Sequence, residues 1–382
     1  FTPLSWLKTN TLLGYQYEMN WGSNSNNRAI PTEAKYARLD LAELAKDPKG
    51  FFSTPRTAST PILLNENETN ARNFGMYVQQ DFEFMDRVIV SGGLRSDRDR
   101  SVSHRHVQRN RIDNASVLNS WRASVVYKAT KNLSFYAVRS LQNDPELFQA
   151  QYGAGVPIGD PRRDIFLRAA RQNDLKEIGI KSEVLGGRLT VSAAYWNLAR
   201  KGNSVTLTTN ESFTNAAGQP AVRAITQIYV SDAETKGYEL EAFGSLTSRF
   251  TLMTSYVNMD SSEADPSVNQ VGARRPLRFA PDWSVKFFGK YSFRDARGTG
   301  WVLKAGTTWI GPMAIQVPNG TGIYAGSRYN YPENQKTFDV GAAYRFGRWE
   351  ADLQINNAGS DYFYLTRTNP LRSYRLTLTS RF

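Results

Sequence analysis

The most basic stretch of the chain runs from Arg95 to Arg111. It holds Arg95, Arg98, Arg100, Arg105, Arg109 and Arg111 against Asp97 and Asp99, and it carries both histidines, His104 and His106. Guanidinium groups at this density attract anions, and their planar fork suits carboxylate or phosphate oxygens. A solvated segment charged for solubility is the competing reading. Two imidazoles alone make a poor metal site, which needs three or four ligands, so no metal is assigned. A second stretch, 142–171, mixes Phe148, Tyr152 and Phe166 with Arg162, Arg163 and Arg168. Aromatic faces beside guanidinium groups are able to hold a planar, anionic ligand by stacking and charge; the same residues also suit self-packing of the segment. The stretch 312–335, with Tyr324, Tyr329 and Tyr331, carries the same two readings. The candidate ligand-binding set is therefore Arg98, Arg100, Arg105, Tyr152, Arg162, Arg163 and Tyr324.

Catalysis finds little material. The chain has no cysteine, which excludes thiol chemistry, cysteine-ligated zinc and a disulfide framework. No glycine-flanked nucleophile occurs, and no histidine lies near one in sequence. Glu239 and Glu241 sit two apart on one face of a strand, where contact with water or with arginines suffices to explain them. No catalytic residue and no cofactor are assigned, and the chain is not expected to be an enzyme. The net charge of +12 favours anionic partners, but acidic residues are interspersed throughout. No aromatic-plus-basic nucleic-acid motif stands out, so nucleic acid is not among the expected partners.

The elements that position these residues alternate with period two. Near the end, Tyr374, Leu376, Leu378, Ser380 and Phe382 form one face and Arg375, Thr377, Thr379 and Arg381 the other. Phe338, Val340, Ala342, Tyr344 and Phe346 alternate with Thr337, Asp339, Gly341, Ala343 and Arg345; Trp349, Ala351, Leu353 and Ile355 alternate with Glu350, Asp352, Gln354 and Asn356. About fourteen such segments match the strand template. Short turns fall at Met85-Asp86-Arg87, Thr130-Lys131-Asn132, Gly186-Gly187-Arg188, Thr247-Ser248-Arg249, Asp295 to Thr299, and Gly347-Arg348. Between them lie long polar stretches, 21–70, 98–116, 142–171, 201–232, 261–280, 312–335 and 358–372. Within 33–47, Leu39, Leu41 and Leu44 have helical spacing and predict a short helix.

Short and long connections in alternation, joining strands of about ten residues, are the pattern of an all-β, antiparallel transmembrane barrel with short periplasmic turns and long extracellular loops. No apolar run approaches the ~20 residues of a membrane helix. In hydrocarbon every backbone N–H and C=O must be paired, so only helices or closed barrels span. Tyr15, Tyr17, Trp121, Trp283, Trp301 and Trp349 suit the interfacial girdles. A soluble sandwich also alternates, but it has no reason to repeat Glu, Lys, Arg, Asp and Gln along the face opposite its apolar side.

Several segments resemble TonB-dependent outer-membrane receptors, which import ferric siderophores, cobalamin and some other nutrients. Gly92-Gly93-Leu94-Arg95-Ser96-Asp97-Arg98 resembles a strand end of that family, with Ser96 where an aromatic is usual. Asn132-Leu133-Ser134-Phe135-Tyr136-Ala137 resembles a strand following a periplasmic turn. Glu177-Ile178-Gly179-Ile180-Lys181-Ser182-Glu183, followed by Gly187-Arg188-Leu189-Thr190-Val191, is the nearest match, and Lys236-Gly237-Tyr238-Glu239-Leu240-Glu241 resembles another family strand. Asn356-Asn357 with Tyr362 resembles the end of the penultimate strand. The motifs follow in order over essentially the whole chain.

The resemblance implies a bacterial outer-membrane location, an energy-coupled importer and a ferric siderophore as ligand. The Arg95–Arg111 stretch would then meet a ferric chelate or lipopolysaccharide phosphate. The implied partners are outer-membrane lipid and lipopolysaccharide, TonB through an N-terminal region, and the assembly machinery reading Tyr374, Leu376, Leu378 and Phe382. Family barrels have about 22 strands and an N-terminal plug. The expectation is that residues 1–382 are a partial barrel lacking the plug, either cut from a longer precursor or freed of its leader, and that its sheet is open or artificially closed. A self-contained porin of about fourteen strands and an outer-membrane enzyme or adhesin are the alternatives.

Overall fold

The computed structural model describes residues 6–28, 62–105, 110–152, 156, 160–215, 217–265, 273–277, 279–314, 334–360 and 371–381. The strands are β1 (Leu7–Arg28), β2 (Ile62–Phe84), β3 (Val88–Arg105), β4 (Asn110–Lys128), β5 (Leu133–Ala150), β6 (Phe166–Val184), β7 (Leu189–Thr214), β8 (Pro220–Ser245), β9 (Phe250–Ala264), β10 (Arg274–Pro276), β11 (Trp283–Ser292), β12 (Gly300–Ile310), β13 (Gln335–Phe346), β14 (Trp349–Asn356) and β15 (Ser373–Ser380). Each pairs with its sequence neighbours in one linear order from β1 to β15, except that β10 pairs only with β9 and β11 follows β9 directly. Among the described residues fourteen strands thus lie on the main path, in keeping with the alternation. Among the described residues no helix is long and apolar enough to cross a membrane. The predicted helix in 33–47 lies outside the described residues.

Two compact units form. One comprises Phe1–Leu13, Tyr77–Arg95 and Asn119–Phe382; the other comprises Gly14–Met76 and Ser96–Leu118.

In the larger unit, register explains the alternation. Leu303, Ala342, Leu353 and Leu376 stand side by side across β12–β15, and so do Trp301, Tyr344, Ala351 and Leu378. The adjacent rows are Lys304, Gly341, Gln354 and Arg375, and Val302, Ala343, Asp352 and Thr377. Leu353 is 43% exposed and Leu376 66%. By contrast the Lys304 and Asp352 side chains are 17% and 25% exposed and meet at 2.5 Å. They reach one another across β13 because only Gly341 and Ala343 stand between. Arg294 and Glu350 pair at 2.9 Å on the same face. The apolar side chains therefore point outward and the charged ones inward, the reverse of a soluble core and the arrangement that lipid requires.

All six short turns read from the sequence are turns. Met85 and Asp86 adopt positive φ (50° and 58°), as do Gly186, Gly187, Gly298 and Gly347. The Asp295 carboxylate accepts the Arg297 and Thr299 amides, both at 2.9 Å. The long polar stretches differ from the expectation. Residues 201–232 are mostly strand: β7 and β8 run 26 residues each and pair up to Thr214↔Pro220. At about 3.3 Å per residue this far exceeds the ~30 Å of a bilayer core, so the distal halves stand in water as a hairpin arm. A bulge between Arg200 and Asn203 marks where the arm begins, with Gly202 at φ +72° beside the Ala170 carbonyl.

Candidate functional site

The inward face of β8 carries its odd-numbered residues, Glu241 and Glu239 low in the wall and Gln227, Ile225 and Arg223 on the arm. Their β7 partners there are Leu207, Thr209 and Glu211. Leu207 and Ile225 are buried (5% and 2%), so this face is covered. The segment after β5 docks on the arm here. Gln151 donates from its amide to the Ile165 carbonyl, and its own carbonyl accepts the Ile228 amide, both at 2.8 Å. Tyr152 forms an isolated bridge with Gln227.

Side chains lock the segment in place. A 3-10 turn spans Pro161–Asp164, with Asp160 at its N-cap accepting the Arg162 amide. Proline at the first position and an aspartate cap suit such a start. The turn presents Arg162, whose guanidinium meets Asp160 at 2.7 Å and Glu211 at 2.8 Å. Glu211 also pairs with Arg223 at 2.5 Å. Two aromatic rings complete the cluster: Arg162 lies 5.9 Å from the Tyr152 ring centre and Arg223 4.8 Å from that of Phe213. The Arg162 hydrogen bonds, side-chain and backbone, hold the Asp160 carboxyl down at about 2. Hydrogen bonds from Arg162 and Arg223 lower Glu211 as well. Arg162 is raised by the same two carboxylates.

The structure thus brings together Tyr152 and Arg162 of the predicted set. Arg163 lies in the 3-10 turn, and Tyr324 lies outside the described residues. Arg98 and Arg100 are exposed on β3 in the smaller unit, and Arg105 ends that strand. Arg100 forks onto Asp113 of β4 at 3.2 and 2.8 Å. Tyr374, Leu376 and Leu378 are exposed on β15, last in the strand order; Phe382 lies outside the described residues. Sequence reasoning missed Asp160, Glu211, Arg223 and Phe213. The available signal was Val205, Leu207, Thr209, Glu211 and Phe213 at period two within a stretch read as loop.

Lower in the wall the inward face gathers carboxylates. Tyr136 of β5 donates to Glu177 of β6 at 2.8 Å, and its ring lies over Gly179, where an added Cβ would sit 2.5 Å from the ring. Among the described residues no three of His, Asp and Glu come together as a metal site.

A wall of antiparallel strands with lipid-type residues outward and charge inward defines a transmembrane β-barrel protein of the outer membrane. The chain matches the family model "TonB dependent receptor-like, beta-barrel" over residues 3–358 and belongs to that family. It is 22% identical to the metal-pseudopaline receptor CntO of Pseudomonas aeruginosa over 367 residues, 91% of this chain and 46% of the relative. Among solved structures, the ferric-catecholate import receptor Fiu of E. coli K12 superposes with a TM-score of 0.67 at 15% identity, covering 98% of this chain and 52% of that one. The copper transporter OprC gives 0.60 at 16% identity, covering 82% and 48%. The chain spans about half the length of these proteins. The family and the fold are those of transport receptors, not enzymes.

Proposed function

We propose that this chain forms the greater part of the barrel of an energy-coupled importer, and that its cargo is a ferric siderophore captured at the extracellular mouth. The observation that carries the reading is the pairing of Tyr152 with Arg162 and of Phe213 with Arg223 on the inward face of the β7–β8 arm. An aromatic ring backed by a guanidinium suits a planar, anionic metal chelate, which stacks on the first and is charge-paired by the second. A relative named for a metal chelate and a neighbour named for ferric catecholates support the class of cargo. On this reading no bond of the cargo is broken. TonB drives transport through a region N-terminal to the barrel, and the outer-membrane assembly machinery reads Tyr374, Leu376, Leu378 and Phe382.

The test is titration of the protein expressed from its full reading frame with ferric catecholate, hydroxamate and carboxylate siderophores, copper, cobalamin and glycans. Uptake is followed in cells with and without TonB. Saturable binding of one ferric class and TonB-dependent uptake of its iron are expected. Binding of copper or a glycan with no ferric siderophore bound overturns the cargo, and hydrolytic turnover of the ligand overturns the importer.

A further inference from the structure

On the β7–β8 arm two guanidinium groups converge on the single carboxylate of Glu211. Arg162 forks across both of its oxygens, Nη1 to Oε1 at 2.8 Å and Nη2 to Oε2 at 3.3 Å. Arg223 reaches Oε2 from the facing strand, with Nε at 2.7 Å and Nη2 at 2.5 Å. Each cation also has an aromatic neighbour, Tyr152 for Arg162 and Phe213 for Arg223. The carboxylate is open to solvent: the Glu211 side chain is 33% exposed, more than either arginine. Asp160 is more deeply set. It lies two residues from Arg162 and accepts from Nε at 3.1 and 3.2 Å and from Nη2 at 2.7 Å. Two cations against two carboxylates sum to zero, so an arriving anion gains no attraction from this cluster as it stands. With the Glu211 side chain turned to water the sum is +1, and a two-oxygen site opens between two guanidinium groups and two rings.

We propose that Glu211 is an internal competitor, and that a pendant carboxylate of the incoming chelate takes its place between Arg162 and Arg223. The inference rests on the cargo site set out above and narrows its ligand to chelates that carry a carboxylate not engaged by the metal. The donors already hold such a group, and their planar forks match its two oxygens. In a metal-bound catecholate both oxygens ligate the metal and present no such pair to the fork. Exchanging one carboxylate for another is nearly even in charge. Contact with the Tyr152 and Phe213 rings, which Glu211 cannot supply, favours the ligand. The strand need not move: Glu211 turns about its own side-chain bonds while its backbone stays in register with Arg223. Asp160 remains on Arg162, so the opened cluster accepts one anionic group and not two.

The receptor expressed from its full reading frame is titrated calorimetrically with metal-free citrate, its neutral trimethyl ester and inorganic phosphate. Glu211→Gln and the milder Glu211→Asp are compared with Glu211→Gln/Arg223→Gln. Glu234→Gln, on the outward face of β8 where the carboxylate accepts from Asn197 at 2.7 Å, is the charge-matched control. Glu211→Gln is expected to bind citrate about tenfold more tightly than wild type, the scale of a charge-assisted hydrogen bond, with Glu211→Asp between the two. Removing Arg223 as well abolishes the gain, the control binds like wild type, and the ester binds no variant more tightly. A purely structural Glu211 predicts equal or weaker binding, and that result in both single variants overturns the competitor, as does an equal gain in Glu234→Gln. An equal gain for phosphate overturns the carboxylate class. Citrate is used without metal, so the outcome is separable from the cargo test: failure to take up any ferric siderophore removes the cargo, while tighter citrate binding by Glu211→Gln still upholds the competitor.

Discussion

The guanidinium of Arg162 in the 3-10 turn lies 2.8 Å from the carboxylate of Glu211, 49 positions later on β7. The two have no local reason to meet. Their contact fixes the segment after β5 against the inward face of the β7–β8 arm, and Arg223 holds Glu211 from the other side. Removing the acceptor charge takes Arg223 off its carboxylate and leaves Arg162 only Asp160, a partner within its own segment, so Glu211→Gln loosens the segment. Amide exchange at Gln151 and Ile228, whose hydrogen bond ties segment to arm, is expected to rise several-fold. The β7–β8 ladder below the bulge keeps its protection. Equal exchange in wild type and variant removes the lock.

The same network has a defined acid limit. Asp160 is held down at about 2 against an ordinary 3.8, chiefly by hydrogen bonds from Arg162, and Glu211 is lowered likewise. A carboxyl whose folded value is depressed contributes fully above its unfolded value and loses that contribution as pH falls through the folded one. Protease access to 151–165 is therefore expected to be flat from pH 8 to 5 and to climb only from about 4 down to about 2. A step near pH 6 in that assay contradicts the carboxylate lock.

The wall was legible in the sequence and the mouth was not, for one physical reason. Between lipid and lumen the two sides of a strand demand opposite residues, so Trp349, Ala351, Leu353 and Ile355 separate cleanly from Glu350, Asp352, Gln354 and Asn356. Beyond the bilayer both sides meet water or protein, and the rhythm fades; β7 from Asn203 to Thr214 reads as polar loop although it is fully paired. The run from Arg95 to Arg111 reads as one basic patch, yet a strand splits it. Arg98, Arg100 and His104 fall on the exposed face of β3, and Asp97 falls on the buried one. A contact such as Arg162 with Glu211 leaves no mark in residue spacing.

One motif glycine has a steric cause that mutation can test. Gly237, in the Lys236-Gly237-Tyr238-Glu239 segment, faces Met259 of β9, and a Cβ there would lie 2.1 Å from the Asn258 carbonyl oxygen. That neighbour is backbone and cannot swing aside, so Gly237→Ala must push β8 from β9. Overpacking costs ~1–3 kcal/mol, and the expected result is a lower urea midpoint with unchanged slope. Gly22→Ala, where a Cβ meets nothing within 4 Å, is the matching control and is expected to leave the midpoint in place.

The reversal of inside and outside is tested most directly on adjacent residues of β14 and β15. Leu353 stands between Ala342 and Leu376 in the outward row, while Thr377 stands beside Asp352 in the inward one. If lipid lies outside, Leu353→Arg places a charge in hydrocarbon and costs ~2–4 kcal/mol near the midplane, whereas a lumen-facing charge costs little. Thr377→Arg also brings a cation beside the Asp352 carboxylate, which already pairs with Lys304 at 2.5 Å, so its effect is expected to stay within about 1 kcal/mol. Both variants are refolded into bilayers and unfolded with guanidinium. A large loss for Leu353→Arg with near wild-type behaviour for Thr377→Arg is expected. The opposite ranking would mean that Leu353 faces water, and the outward row could not then be a lipid contact.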